Sequence, residues 1–297
     1  MSGADEGYGD NHRAFLQAFM ARGTMTFEDA QPVLAAIDSV AEGREVLPQD
    51  ITQTELNTYI NTANTAISSL DLQIRSTVDQ KSQSRVYALI NTTSDPIMQL
   101  ATTYSADEIA YVKRLLDVMF ENNNTPRAEI MAIASMQAIQ LARIPTNRRQ
   151  SGEASQSGSA QPLSMKDAET VLKHLVQEGW FEKSRKEYYS LTPRALMELR
   201  GWLIDTYNYD DDDDEDTLRI NKIKLCFACK EIITVGQRCS NNQCPGRLHA
   251  HCTARFFRLQ QEEKCPVCKS DWTGEHLVGE AAASQGAQAR SRPSERS

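Results

Sequence analysis

From about residue 12 apolar positions recur at helical spacing, with Phe15, Leu16, Phe19 and Met20 on one side of a first helix. Thr26 followed by Asp29 reads as a cap ahead of a second helix carrying Val33, Leu34 and Ile37. Pro32 must start or bend that helix, since proline has no backbone N–H to donate. Asp50 and Gln53 stand at capping-box spacing before a third amphipathic run, Leu56, Tyr59, Ile60, Ala63 and Ile67. The period then drops to two. Leu72, Ile74 and Val78 alternate with polar residues, as do Val86, Ala88 and Ile90, around a polar turn at Lys81 to Ser84. This predicts a β-hairpin. Three helices followed by a hairpin is the order of a winged-helix domain, here over residues 12–92.

The same order returns over residues 103–207. Ser105 and Glu108 form a capping box for a helix with Ile109, Val112, Leu115, Leu116, Met119 and Phe120. Thr125-Pro126 reads as an N-cap with proline at the first helical position, opening a helix with Ile130, Ile133, Met136 and Ile139. Residues 145–163 are rich in Ser, Gly, Gln and Asn and read as a linker or long loop. Ser164 and Asp167 cap a helix with Val171, Leu172, Leu175 and Val176, which Gly179 ends. A short hairpin is expected over Trp180 to Leu191. Thr192-Pro193 then opens a last helix with Leu196, Leu199, Trp202 and Leu203. The fold class expected is α+β: two tandem winged helices, then a small module of a different kind.

That module is defined by cysteine. All seven cysteines of the 297-residue chain lie between Cys226 and Cys268. Their odd number, in one short stretch behind an acidic start (Met1 to Asp10) unlike a secretion signal, does not suggest a disulfide framework. With one histidine they give C-x2-C-x9-C-x4-C-x4-H-x2-C-x12-C-x2-C: Cys226, Cys229, Cys239, Cys244, His249, Cys252, Cys265 and Cys268. Eight N and S ligands fill two tetrahedral zinc sites with none left over. The ligand pairs can bind in sequence or interleaved. Interleaving ties together the ends of a segment too short for its own core. It puts Cys226, Cys229, His249 and Cys252 on one ion, and Cys239, Cys244, Cys265 and Cys268 on the other. Each ion then replaces a core with on the order of 10 kcal/mol of folding energy. His251 competes for the histidine position, but only His249 makes an H-x2-C knuckle. With every cysteine a ligand, no thiol is left as a nucleophile and no coordination position is open for hydrolysis, so no catalytic residue is expected.

Composition narrows the function classes. The chain is 40% hydrophobic and 24% charged, ordinary for a globular protein. Nothing approaches a run of about 18 apolar residues, so no membrane span is expected. A net charge of −8 and a pI near 5.3 argue against a generic nucleic-acid coat. The third helix of the first domain, about 51–69, holds Glu55 and no Lys or Arg. The corresponding helix of the second, about 165–178, sets Lys166 and Lys173 against Asp167, Glu169 and Glu178. The wing adds only Lys183, Arg185 and Lys186. These are read as protein-docking domains rather than direct DNA readers. Asp210 to Asp216 is an uninterrupted acidic run, expected as a solvated linker over 208–221. The zinc module is expected over 222–273 and a disordered tail over 274–297.

The order Cys-Cys-Cys-Cys-His-Cys-Cys-Cys is a RING-variant order shared with the PHD finger. PHD fingers carry an aromatic residue two positions before the seventh ligand; Glu263 stands there, against a histone reader. The segments His251-Cys252-Thr253-Ala254-Arg255-Phe256-Phe257 and Cys265-Pro266-Val267-Cys268-Lys269-Ser270-Asp271-Trp272, with His12-Arg13-Ala14-Phe15-Leu16-Gln17-Ala18-Phe19-Met20-Ala21-Arg22-Gly23, resemble the non-SMC element 1 family of the Smc five/six chromosome complex, as found in fungi. The resemblance spans about 12–272. It implies a nuclear, chromatin-associated RING-type ubiquitin ligase subunit acting in DNA repair and recombination. It implies as partners a MAGE-type winged-helix subunit, a kleisin subunit, the Smc five/six heterodimer and a ubiquitin-conjugating enzyme, with DNA reached through the complex. In such ligases the enzyme-docking groove uses an apolar residue after the first ligand, an apolar helix after the sixth and a proline after the seventh. Here these are Phe227, Phe256 with Phe257, and Pro266. Lys269 follows the last ligand, where many active RINGs carry an arginine that touches ubiquitin; lysine keeps the charge without the bidentate fork. The alternative is an architectural subunit whose zinc module only helps to assemble the complex.

Overall fold

In a computed structural model of the chain, residues 7–92, 103–143, 161–209 and 220–284 are described. They divide into two compact units: Met1–Pro96 with Pro193–Leu199, and Ile97–Thr192 with Arg200–Ser297. Both units mix helix and strand, and the second ends in the cysteine-rich module.

The first unit runs α1 (Asp10–Arg22), β1 (Thr24–Thr26), α2 (Phe27–Glu42), α3 (Gln53–Ile67), β2 (Leu72–Val78) and β3 (Arg85–Asn91). The sheet is antiparallel in the order β1-β3-β2. Its core is Phe15, Phe19, Met25, Leu34, Leu56, Ile60, Ile67, Ile74 and Tyr87, the apolar stripes of the three helices closed by one face of the hairpin. Thr26 caps α2 through the Asp29 amide, as its spacing predicts. The third helix starts later than expected. Pro48–Asp50 is a 3₁₀ turn, and the capping box is Thr52 with Glu55 rather than Asp50 with Gln53. Proline, which supplies no N–H, favours that separate turn before the helix. The Thr52 amide donates to the Glu55 carboxylate at 2.6 Å, and these bonds hold that carboxyl below its ordinary pKa. Thr52→Ala removes the acceptor for an orphan helix amide, and is expected to lower stability by about 1 kcal/mol in a denaturant titration.

The second unit opens with α4 (Ala106–Asp117), capped by Ser105 and Glu108 as predicted. A π-turn, Val118–Asn122, ends it. The helix expected from Thr125-Pro126 is not there. Residues 124–129 form a tight turn in which Thr125 and Ala128 exchange backbone bonds, both 3.1 Å, and Asn124 bridges Glu129. A two-residue strand, β4 (Ile133–Ala134), follows, and helix begins only at α5 (Ser135–Leu141). A reciprocal turn satisfies the Thr125 and Ala128 amides locally, which removes the need for a helix there. Then come α6 (Met165–Gln177), capped by Ser164 and ended by Gly179 at φ 74°, and strands β5 (Phe181–Lys183) and β6 (Tyr188–Leu191). Their sheet has the order β4-β6-β5.

The helix after Thr192-Pro193 is broken at Leu199 into α7 (Pro193–Glu198) and α8 (Arg200–Tyr207). Ala195 and Leu199 are buried with the first unit, Leu203 and Tyr207 with the second. A single straight helix has one continuous stripe, so burial in two cores favours a break.

The acidic run expected as a linker is flanked by two short strands. β7 (Asn208–Tyr209) pairs antiparallel with β8 (Ile220–Asn221), so the chain leaves and returns at one place; the run itself lies outside the described residues. The module then holds β9 (Gly236–Arg238), β10 (Arg247–Leu248), α9 (Ala250–Gln260) and β11 (Leu277–Val278), with sheet order β10-β9-β11. The tail expected as disordered from 274 is ordered up to at least 284. β11 adds to β9, and Val278 and Ala282 are buried. Residues 285–297 and most of the linker 145–163 lie outside the described residues. Among the described residues no helix is long and apolar enough to cross a membrane.

Candidate metal centre

Two knuckles with the same hydrogen-bond pattern build the site. In the first, the Cys226 amide donates to Glu231 O at 2.8 Å and the Lys230 amide to Cys226 O at 2.9 Å. In the second, Cys265 donates to Ser270 O at 2.8 Å and Lys269 to Cys265 O at 3.1 Å. Each turn needs a left-handed residue one place after its second cysteine, and both are lysine, Lys230 at φ 64° and Lys269 at φ 60°. The turn brings both thiols of a C-x2-C pair to one side. His249 is the N-cap residue of α9, and Cys252 lies in its first turn. Cys239 leaves β9 and Cys244 precedes β10, joined by a bond from the Cys239 amide to Gly246 O at 3.0 Å.

The eight side chains gather as the crossed reading of the spacing expects. Cys226, Cys229, His249 and Cys252 form one group, and Cys239, Cys244, Cys265 and Cys268 the other. Within each group the ligand atoms lie within 4.8 Å of one another. Cys239 and Cys268 sulfurs are 3.4 Å apart, Cys244 and Cys265 sulfurs 3.5 Å. Four sulfurs about 2.3 Å from a tetrahedral zinc would be separated by about 3.8 Å, so the group is already near the required size. His249 turns Nδ1 toward Cys229 Sγ at 3.2 Å, while Nε2 faces Ile232 O at 3.3 Å. A carbonyl on the far ring nitrogen is what orients a ligating imidazole. His251 stacks on the His249 ring at 4.9 Å and lies outside the group. All seven cysteines are free of disulfides. A donor set of seven thiols and one imidazole in two closed groups fits two structural zinc ions.

Sequence reasoning missed several supports. Ser270 Oγ lies 3.2 Å from Cys239 Sγ and 3.0 Å from Cys268 Sγ. Backbone amides of Asn241 and Gly246 approach the Cys239 and Cys244 sulfurs, both at 3.4 Å. The repeated Cys-x2-Cys-Lys is a visible signal for the knuckles; nothing in the sequence signals the amides. Phe227, Phe256 and Phe257 are half-buried against the core of Leu248, Trp272 and the cysteines. Phe227 and Pro266 occupy the same position in their respective knuckles, both half-buried, and Lys269 is exposed.

Residues 12–199 match the family described as the Nse1 non-SMC component of the SMC5-6 complex, and residues 226–268 match a RING-like domain. The chain is 24% identical to the human "Non-structural maintenance of chromosomes element 1 homolog", over 90% of this chain and 85% of that one. It is 22% identical to "Non-structural maintenance of chromosomes element 1" of Schizosaccharomyces pombe, over 92% and 97%. Its fold is similar to a chain of a solved "Nse1-Nse3-Nse4 complex", at 21% identity and a TM-score of 0.67, covering 91% of this chain and all of the other. With more than half its length matched, and two closed ligand groups behind that stretch, the chain belongs to the family of the Nse1 non-SMC component of the SMC5-6 complex.

Proposed function

We propose that this chain is a RING-type ubiquitin ligase subunit of the SMC5-6 complex, acting in DNA repair and recombination on nuclear chromatin. Cys226, Cys229, His249 and Cys252 hold one zinc ion, and Cys239, Cys244, Cys265 and Cys268 the other. The metal supplies a structural cross-link and takes no part in bond making. Both helix-and-hairpin repeats act as winged helices that dock partners: a MAGE-type subunit and a kleisin, the counterparts of Nse3 and Nse4 in the similar assembly, and through them the Smc five/six heterodimer and DNA. Ligation is non-covalent. The module holds a ubiquitin-charged conjugating enzyme so that the thioester stays in an attackable pose, which is catalysis by positioning.

The observation that carries this reading is the pair of matched knuckles. Each presents one apolar residue directly after its first cysteine, Phe227 and Pro266, and the same module leaves Val267 41% and Leu259 74% exposed. Apolar side chains left open on a metal-rigidified knob suit a protein partner. In a ubiquitin-chain assay with the MAGE-type partner present, Phe227→Ala is expected to weaken conjugating-enzyme binding by about 2 kcal/mol, or roughly 30-fold, with both zinc equivalents retained. If no conjugating enzyme supports chains with the unmodified pair, the architectural reading stands instead. One feature favours that second reading: the Lys230 ammonium lies over the Phe227 ring at 5.0 Å and covers part of it.

A further inference from the structure

Two arginines are buried beside the all-cysteine group. Arg238 and Arg247 are register partners in β9 and β10, 4% and 0% exposed. Like charges opposite one another in a sheet repel, and burial makes this worse. Arg247 Nη1 donates to the carbonyls of Cys244 and Gly246, both at 2.7 Å, and so holds the turn that presents Cys244. Its Nε and Nη2 make a two-pronged bond to Glu129, at 2.7 and 2.5 Å. Lys224 Nζ pairs with the same carboxylate. Glu129 is 1% exposed, and it comes from the turn at 124–129, far away in sequence. That turn is fastened to the module at two further points: Asn124 Nδ2 donates to Lys222 O and the Gly279 amide to Glu129 O, both at 2.8 Å.

Two cations, Lys224 and Arg247, thus pair with one carboxylate, and Arg238, whose Nη2 donates to Asn242 Oδ1, adds a third buried charge, leaving two positive charges in excess. A zinc ion with four thiolates carries two negative charges. Arg238 directly precedes Cys239, and Arg247 holds the Cys244 carbonyl, so the excess lies against that group of ligands. The Cys₃His group carries only one negative charge when loaded, and Arg247 meets its knuckle through the backbone, its carbonyl accepting from the Phe227 amide at 2.9 Å.

We infer that Arg247, fixed by Glu129 and accompanied by Arg238, is the outer support and counter-charge of the all-cysteine zinc site, so that retention of this one metal depends on a residue of the preceding helical region. Arg247 acts through Cys244 and is a positioning residue, not a ligand. The inference rests on the two-zinc reading above.

The test is release of zinc from the full-length protein to a chromogenic chelator, with cobalt-substituted spectra to tell the four-thiolate site from the three-thiolate, one-imidazole site. Arg247→Met and Glu129→Gln are each expected to speed loss of one equivalent, from the four-thiolate site, by about 10–100-fold, and to leave the other at its original rate. Tyr207→Phe, which removes a bond from Tyr207 Oη to Asp117 at 2.9 Å in the same unit, is expected to leave both rates unchanged. Unchanged release from both Arg247→Met and Glu129→Gln overturns the inference. So does equal acceleration at both sites, or acceleration by Tyr207→Phe, since general loosening would then explain it. Fewer than two equivalents in the unsubstituted protein would instead overturn the two-zinc reading itself.

Discussion

Stripping zinc from the full-length protein will abolish amide-exchange protection across residues 222–284 and leave that of α1 to β3 in place. The reason is what the module has for a core. Its buried cluster is Cys226, Cys239, Cys244, Cys265, Leu248 and Trp272, so most members are ligands themselves. Leu248 and Trp272 are worth about 1.5–3 kcal/mol each by burial. Ile223, Ile232, Ile233 and Val278 add a comparable amount each. Against that, ordering a residue costs about 1–2 kcal/mol of backbone entropy, and the stretch is long. Each metal, at about 10 kcal/mol, outweighs any one of these side chains, so its removal tips the module toward the unfolded state. Cys265→Ser is expected to have the same consequence through the second site alone, lowering zinc by one equivalent in elemental analysis. Intact exchange protection in the metal-free protein would contradict this account.

Gly246→Ala should be nearly as damaging. A Cβ at Gly246 would sit 2.7 Å from Cys265 Sγ and 3.5 Å from Cys244 Sγ. The near atom is a sulfur fixed by its knuckle, not the end of a mobile side chain, so the strain falls on the ligand group. Overpacking alone costs about 1–3 kcal/mol. Displacing a thiolate by several tenths of an ångström also spoils a tetrahedron whose sulfurs must stand about 3.8 Å apart. The expected result is loss of one zinc equivalent, with the Cys226, Cys229, His249 and Cys252 site still filled. Two tightly held equivalents in this variant would show that the group has room the geometry denies. Gly274, whose nearest outside atoms are 3.6 Å from a Cβ, offers no comparable clash.

Much of the local structure was legible because its causes are local. The caps at Thr26, Ser105 and Ser164 and the stop at Gly179 lie where side chain and backbone spacing require them. The hairpin from Leu72 to Asn91 follows its period of two. Where two local solutions competed, the reading failed. Thr125-Pro126 suits a helix start as well as a turn, and the turn was chosen by what Asn124 and Glu129 reach elsewhere in the second unit. The tail beyond 273 has a polar, small-residue composition, yet Leu277 and Val278 complete a sheet that β9 leaves open. Strand addition of this kind leaves no periodic trace in so short a segment.

The sequence by itself determined the metal chemistry: eight ligands at fixed spacings, one histidine that can make a knuckle, and no thiol left over. Spacing suffices there because a tetrahedral ion accepts few arrangements, and because each knuckle closes within about six residues. Only the tertiary structure decided what surrounds the sulfurs. Glu129 reads along the chain as one more surface acid, yet it is buried on Arg247, 118 positions further along the chain. Charge buried by long-range contact has no period and no motif, since its energy depends on which distant groups the fold brings together.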